Sequence, residues 1–230
     1  MKILLTMGAT REYIDSVRFI TNLSTGRTGC VIAGLLASKG CEVVSLVGQG
    51  ALRPSSQEIK TVEFSDFKDL DSKMRALLSK NIFDAVIHLA AVSDYSVASV
   101  SVGAKNRWSG VRGKIDSKAG SMTVTFKKNF KIIDRIRGYC RIGANPYNPF
   151  LVGFKLTDTR SSAEINKAVK RLRSADLVVH NDLSGISEGG HIFNICRNGE
   201  KPVYCMDETQ LAKKLYTAIK AHTSGMSARS

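Results

Sequence analysis

Apolar residues along the chain fall alternately into short continuous runs and helically spaced stripes. That alternation predicts a mostly parallel sheet with helices on both faces, an α/β fold. The runs at residues 2–7, 42–47, 61–64, 85–89, 122–126, 151–154 and 177–180 read as strands. Stripes at 28–38, 67–79, 130–137, 163–174 and 207–221 read as helices; in the first, Val31, Ile32, Leu35 and Leu36 share a face. Gly40 stands where a helix C-cap belongs and Asp207 where an N-cap belongs. Residues 191–196 and 201–205 flank Asn198-Gly199, a tight-turn signature, so an antiparallel hairpin is added to the sheet near the C-terminus. One domain covers residues 1–222. Within it, residues 100–119 mix glycines with cations and read as a mobile flap; the polar tail 223–230 reads as disordered.

One stretch breaks the rhythm. The first strand ends at Gly8, yet the next helical stripe begins only near Thr28. Connections of this kind usually take about 2 to 6 residues, and a longer one inside a domain is usually functional. It closes on Ser24-Thr25-Gly26-Arg27-Thr28-Gly29, whose small residues let backbone N–H groups approach a phosphate at a helix N-terminus. A plain helix start capped by Ser24 or Thr25 is an equal alternative, since the spacing fits neither common phosphate-loop fingerprint.

Three more candidates lie at strand ends. Ala90-Ala91-Val92-Ser93-Asp94-Tyr95 follows the run 85–89, where small alanines leave room for a ligand beyond a parallel strand. His88, inside that run, reads as a packing histidine. Phe154 and Asn181 end two later strands, where an aromatic can pack on a base and an amide can bind a ring edge or phosphate. Lys167, Lys170, Arg171 and Arg173 give one helix a positive face, which is either solvated or a triphosphate clamp.

The formal net charge of +14 favours an anionic partner, a nucleic acid or a phosphorylated small molecule. No apolar run approaches the roughly 18 residues of a membrane span or the core of a signal peptide, which predicts a cytoplasmic chain without membrane contact. Five scattered cysteines lack paired metal spacing and fit reduced thiols.

In these residues the chain resembles phosphopantothenoylcysteine synthetase, the phosphopantothenate-cysteine ligase of coenzyme A biosynthesis. The similarity runs from Thr10-Arg11-Glu12 through Ile14-Asp15, Val17-Arg18 and Ile20-Thr21-Asn22 to Gly29, then through Ala90 to Tyr95, Lys114-Ile115, Lys128-Asn129, Gly153-Phe154-Lys155-Leu156 and Ala175 to Asp182. It implies a Rossmann-like, modified dinucleotide-binding fold that uses a nucleoside triphosphate, CTP or alternatively ATP, with Mg²⁺. It also implies a stand-alone synthetase, without the flavin-dependent decarboxylase domain often fused ahead of it, working as a homodimer. Asn22 would contact the 4′-phosphopantothenate carboxylate and its acyl intermediate, with Ala90, Ala91 and Asp94 lining the pantothenate pocket. Arg18 would reach the substrate phosphate in the neighbouring subunit. Gly8, Ser24, Gly26, Gly29, Phe130, Lys131, Phe154 and Asn181 would serve the nucleotide, Lys167, Lys170 and Arg173 its phosphates, and Lys114 would close over the reaction centre. Ala9, Tyr13 and Phe130 depart from the family pattern of glycine, proline and proline.

Two rivals remain. A short-chain-type nicotinamide reductase needs a tyrosine and lysine four apart, and the match, Tyr216 and Lys220, falls on the terminal helix. A nucleic-acid-binding protein suits the charge but lacks any aromatic-interleaved basic motif.

Overall fold

The computed structural model describes residues 1–103, 106–108, 113–116, 118, 120–142, 148–187, 190–197 and 200–227. In chain order the elements are β1 (Lys2–Met7), β2 (Arg11–Tyr13), β3 (Phe19–Thr21), α1 (Arg27–Ser38), β4 (Glu42–Gly48), β5 (Lys60–Phe64), α2 (Phe67–Lys80), β6 (Ala85–His88), β7 (Tyr95–Val102), β8 (Asn106–Trp108), β9 (Met122–Lys128), α3 (Ile136–Ile142), β10 (Phe150–Thr157), α4 (Ser162–Lys170), β11 (Leu177–Asp182), β12 (Ile186–Ser187), β13 (Gly190–His191), β14 (Phe193–Cys196), β15 (Val203–Cys205) and α5 (Glu208–Ser227).

Eight strands form the central sheet in the order β15-β14-β11-β10-β6-β1-β4-β5. Neighbours from β11 to β5 pair in parallel, whereas β14 and β15 run antiparallel. The chain builds outward from β1 through β4 and β5, returns to β6 on the other side of β1, and continues through β10 and β11. Doubly wound sheets bind ligands beyond the carboxyl ends of their strands, at such a reversal. Here that point is the edge between β1 and β6.

Side-chain alternation assigns the layers. Ile3 and Leu5 of β1 pack with Ile32 and Leu36 of α1 and Leu211 and Leu215 of α5. Leu4 faces the other way, into a core shared with Leu70 and Met74 of α2 and Ile136 and Tyr139 of α3. Helix α2 starts on Asp66, whose side chain accepts from Asp69 N, and Gly40 ends α1 in the left-handed region with φ +75°. Asp207 caps α5 by accepting from Gln210 N at 2.7 Å.

The structure corrects several expectations. The run 122–126 is not part of the parallel sheet: it lies in β9, which pairs antiparallel with β7 in a separate three-stranded sheet with β8. Long-range pairing decides this, because a short β-branched run reads alike in either sheet type. Residues 130–137 form a short 3-10 turn at Ile132–Arg135 leading into α3 rather than one helix. The expected flap includes the end of β7 and all of β8, and Ile115 within it is buried. Residues 104–105, 109–112, 117 and 119 lie outside the described residues. The hairpin is formed by β14 and β15, while His191 belongs to a separate β12–β13 pair; its expected turn at Asn198-Gly199 lies outside the described residues. Helix α5 runs to Ser227, past the predicted end, because His222 packs on Phe150 with ring centroids 4.9 Å apart and Thr223 bonds back to Ile219 O.

Candidate functional site

The β1–β6 edge is closed by backbone. Ala91 N donates to Gly8 O at 2.8 Å, Thr10 N donates to Ala91 O at 3.3 Å, and Ala9 bridges Ala91 in parallel. Asn22 is brought to the same point, its Nδ2 donating to Ala91 O at 3.4 Å. Two sequence motifs some seventy residues apart thus share one carbonyl. Ala90 and Ala91 are half-buried, and Ala90 N donates to Thr6 Oγ1 at 3.2 Å.

Three glycines shape the approach. Gly8 has φ +80°, and a Cβ there would stand 2.7 Å from Ala51 Cβ. Gly26 has φ +81° and is the N-cap of α1, while the neighbouring Thr25 Oγ1 accepts from Arg27 N, the first helical N–H, at 3.3 Å. The remaining N–H groups of the first turn of α1 have no side-chain cap among the described residues, at a helix end where an anion is favoured. Gly29 lets α1 approach β1, since a Cβ there would lie 2.6 Å from Met7 Cβ. Turn, close approach and helix–strand contact are the three tasks of a dinucleotide fingerprint, here divided by an inserted β2–β3 hairpin. Gly48 lets β4 approach the backbone of Ala9: a Cβ on Gly48 would fall 2.6 Å from Ala9 O.

The turn of that hairpin carries Arg18 and is organised by Asp15. This carboxylate is fully buried and accepts from Val17 N, Arg18 N and Ile115 N at 2.9, 2.7 and 3.1 Å. Arg18 Nη1 adds an ion pair at 3.0 Å and its Nη2 reaches Ile115 O at 3.5 Å. Burial alone pushes the Asp15 pKa up, but these donors and the Arg18 charge outweigh it and hold the carboxyl below its ordinary value. Lys114 is exposed and sits next to a residue clamped to the hairpin turn.

A second wall rises from the segment after β9. Asn129 N donates to Asp94 O at 2.8 Å and Asn129 Nδ2 to Ser93 O at 3.1 Å, so this segment is laced to the chain leaving β6. Exposed Asp94 is ion-paired with Lys131. Phe130 sits edge-on to Phe67 and beneath the Arg135 guanidinium, 3.3 Å from its ring centroid, which explains how a bulky ring replaces proline here. Between the hairpin and the β7–β9 sheet, Glu12, Ile20, Ser93, Tyr95 and Phe126 line a cavity of about 340 Å³. Glu12, missed from sequence, is buried with its carboxylate accepting from Phe67 N, and burial raises its pKa.

Helix α4 has no buried residue. Lys167, Lys170, Arg171 and Arg173 border a cleft of about 560 Å³, and none of them forms an ion pair among the described residues. Phe154 is partly buried against the α1–α5 core. Asn181 Nδ2 lies 2.9 Å from His191 Nε2, and both His191 and Arg27 of α1 approach Glu208 at 3.9 Å. The β1–β6 edge thus gathers Gly8, Asn22, Ala90 and Ala91; Asp94 and Lys131 border it, whereas Asn181 stands towards the α1–α5 face. Among the described residues no three carboxylates, histidines or cysteines gather as a metal cage. No helix is long and apolar enough to cross a membrane.

A doubly wound sheet, its reversal lined by small residues and a glycine-capped helix start, defines a Rossmann-like α/β protein. The chain belongs to the DNA/pantothenate metabolism flavoprotein C-terminal domain family, whose model matches residues 1–222. Over 224 residues it is 33% identical to the coenzyme A biosynthesis bifunctional protein CoaBC of Thermococcus kodakarensis, covering 95% of this chain and 51% of that protein. The chain spans about half the length of the curated relatives it matches. The crystal structure of the DNA/pantothenate metabolism flavoprotein from Streptococcus pneumoniae superposes with a TM-score of 0.82 at 30% identity, over 96% of this chain and 99% of that one. The Cab2 mutant H337A in complex with phosphopantothenate-cysteine shares the fold, with a TM-score of 0.68 at 16% identity over 97% of this chain and 89% of that one.

Proposed function

We propose that this chain joins 4′-phosphopantothenate to L-cysteine through an acyl-nucleotidylate, using CTP in preference to ATP. The observation that carries this reading is the contact of Asn22 with Ala91 O at the sheet reversal, which brings the two substrate-binding motifs together. The names of the relatives, CoaBC proteins of coenzyme A biosynthesis, support it.

A carboxylate does not react with an amine until it carries a leaving group. The pantothenate carboxylate, oriented by Asn22, attacks the α-phosphorus; the bond to the β-phosphate breaks and pyrophosphate leaves. The cysteine amine then attacks the acyl carbon, the acyl–phosphate bond breaks, the nucleoside monophosphate departs and the amine loses a proton. Lys131 and the α4 cations Lys167, Lys170 and Arg173 balance the triphosphate charge, with Gly8, Ser24, Gly26 and Gly29 giving phosphates access to backbone N–H groups. Phe154 and Asn181 would serve the base or sugar of the nucleotide. Lys114 stabilises charge developing at the acyl phosphate and helps to exclude water from the intermediate. Mg²⁺, carried on the triphosphate, would supply further neutralisation of its charge. Arg18 serves the neighbouring subunit of a homodimer.

Pyrophosphate release with 4′-phosphopantothenate and Mg²⁺ tests the reading, comparing CTP with ATP, with and without L-cysteine. Release that requires 4′-phosphopantothenate and accelerates with cysteine is expected. No cleavage of either nucleotide would overturn it.

A further inference from the structure

His88 is the last residue of β6 and lies at the sheet reversal, yet it has no part in the chemistry above. Its side chain is 8% exposed and shares a face of the sheet with Thr6, its register partner on β1. Thr6 Oγ1 lies 3.0 Å from His88 Nδ1 and accepts from Ala90 N at 3.2 Å. The Thr6 hydroxyl has a single proton, is wholly buried, and has no other acceptor among the described residues. It therefore donates to Nδ1, which fixes the ring proton on Nε2. Burial pushes the His88 pKa down to about 4, so the ring is neutral near pH 7. Nε2–H has no protein partner among the described residues.

The surroundings indicate which ligand group it meets. On β10 the register partner of His88 is Gly153, and the space over Gly153 is taken by Ile133 and Leu172: a Cβ there would meet their side chains at 2.7 and 2.8 Å. Ile133 follows Lys131 by two residues, and Leu172 lies between Arg171 and Arg173. The segments that carry these cations thus pack their apolar residues on the same face of the sheet as His88. Phosphates go to the cations; a neutral N–H held in one tautomer suits a carbonyl oxygen or unprotonated nitrogen of a heterocycle.

We propose that His88 Nε2–H is a specificity-determining donor to a ring acceptor of the nucleobase, an inference that rests on the nucleotide-dependent ligase reading. Thr6 is a positioning residue that acts through His88 by choosing its tautomer.

The test is calorimetric titration of CTP, ATP and inorganic triphosphate into the wild-type, His88→Phe and His88→Gln chains, with circular dichroism as the folding control. His88→Phe is expected to weaken CTP binding about tenfold while leaving triphosphate binding unchanged, and His88→Gln, which keeps a donor, to recover part of the loss. Unchanged CTP affinity in a folded His88→Phe chain overturns the contact but leaves the ligase reading standing. Absence of any nucleotide binding by the wild-type chain overturns both. If His88→Phe does not fold, ¹⁵N NMR of the wild-type imidazole decides. An Nε2–H tautomer whose resonance moves with CTP but not with triphosphate supports the proposal, whereas an Nδ1–H tautomer or an unmoved resonance overturns it.

Discussion

Asn22 and Gly29 belong to the same connection but answer to different constraints. Gly29 is held by packing, and Gly29→Ala drives a methyl into Met7; we expect a loss of about 1–3 kcal/mol in chemical denaturation. Asn22 is exposed and makes one long hydrogen bond, so Asn22→Asp should fold as well as wild type yet lose ligation, as should Lys114→Gln. Full ligation by both variants would remove their assigned roles. Asn22 and Lys114 came into view in the sequence through the family resemblance. Residues whose roles depend on burial did not. His88 reads as packing until Thr6 and Ala90 N are seen beside it, and nothing in the sequence marks Glu12 as buried until Phe67 N, in the first turn of α2, is seen to donate to it.

Among elements, the strands of the parallel sheet and the helices α1, α2 and α5 could be read directly, since each buries an apolar run or stripe. The short pairs were lost. Strands β2 and β3 have three residues each, and every residue of β3 is exposed, so no periodic signal marks them. Strand β7 carries a Ser–Val alternation only from Ser99 to Val102, most of which fell within the expected flap that begins at Val100. Linkage between elements is where Asp15 matters. Asp15→Asn replaces an acceptor facing Ile115 N with an amide donor, so hydrogen exchange at Ile115 should accelerate while β1 and β6 stay protected. Acid should act similarly. The Asp15 pKa is lower folded than its ordinary 3.8, so its stabilisation is present above that value and is lost as pH falls through the lower, folded-state value. A wild-type Ile115 exchange profile that ignores pH in this acid range would contradict the tether.

On the scale of the whole molecule, the apolar side chains of Val17, Phe19 and Ile20 on the hairpin, and of Tyr95 and Phe126 across the cavity, remain exposed in the single chain. The proposed homodimer, in which Arg18 would cross to the neighbouring site, would give that surface a use. Mixing inactive Arg18→Ala and Asn22→Asp chains should then restore partial ligation, because a mixed pair holds one site with both residues intact. No recovery after verified subunit exchange would place Arg18 in its own chain's site. The split glycine fingerprint has a consequence for tolerance to change. Gly8, Gly26 and Gly29 serve the shape of the backbone, whereas the hairpin between Gly8 and Gly26 pairs its strands with each other and lies outside the central sheet. A saturation library across residues 8–29, scored separately for soluble yield and for growth dependent on ligation, should therefore divide. Soluble yield would be lost mainly at the three glycines and the buried carboxylates, and growth alone at the outward-facing positions between them.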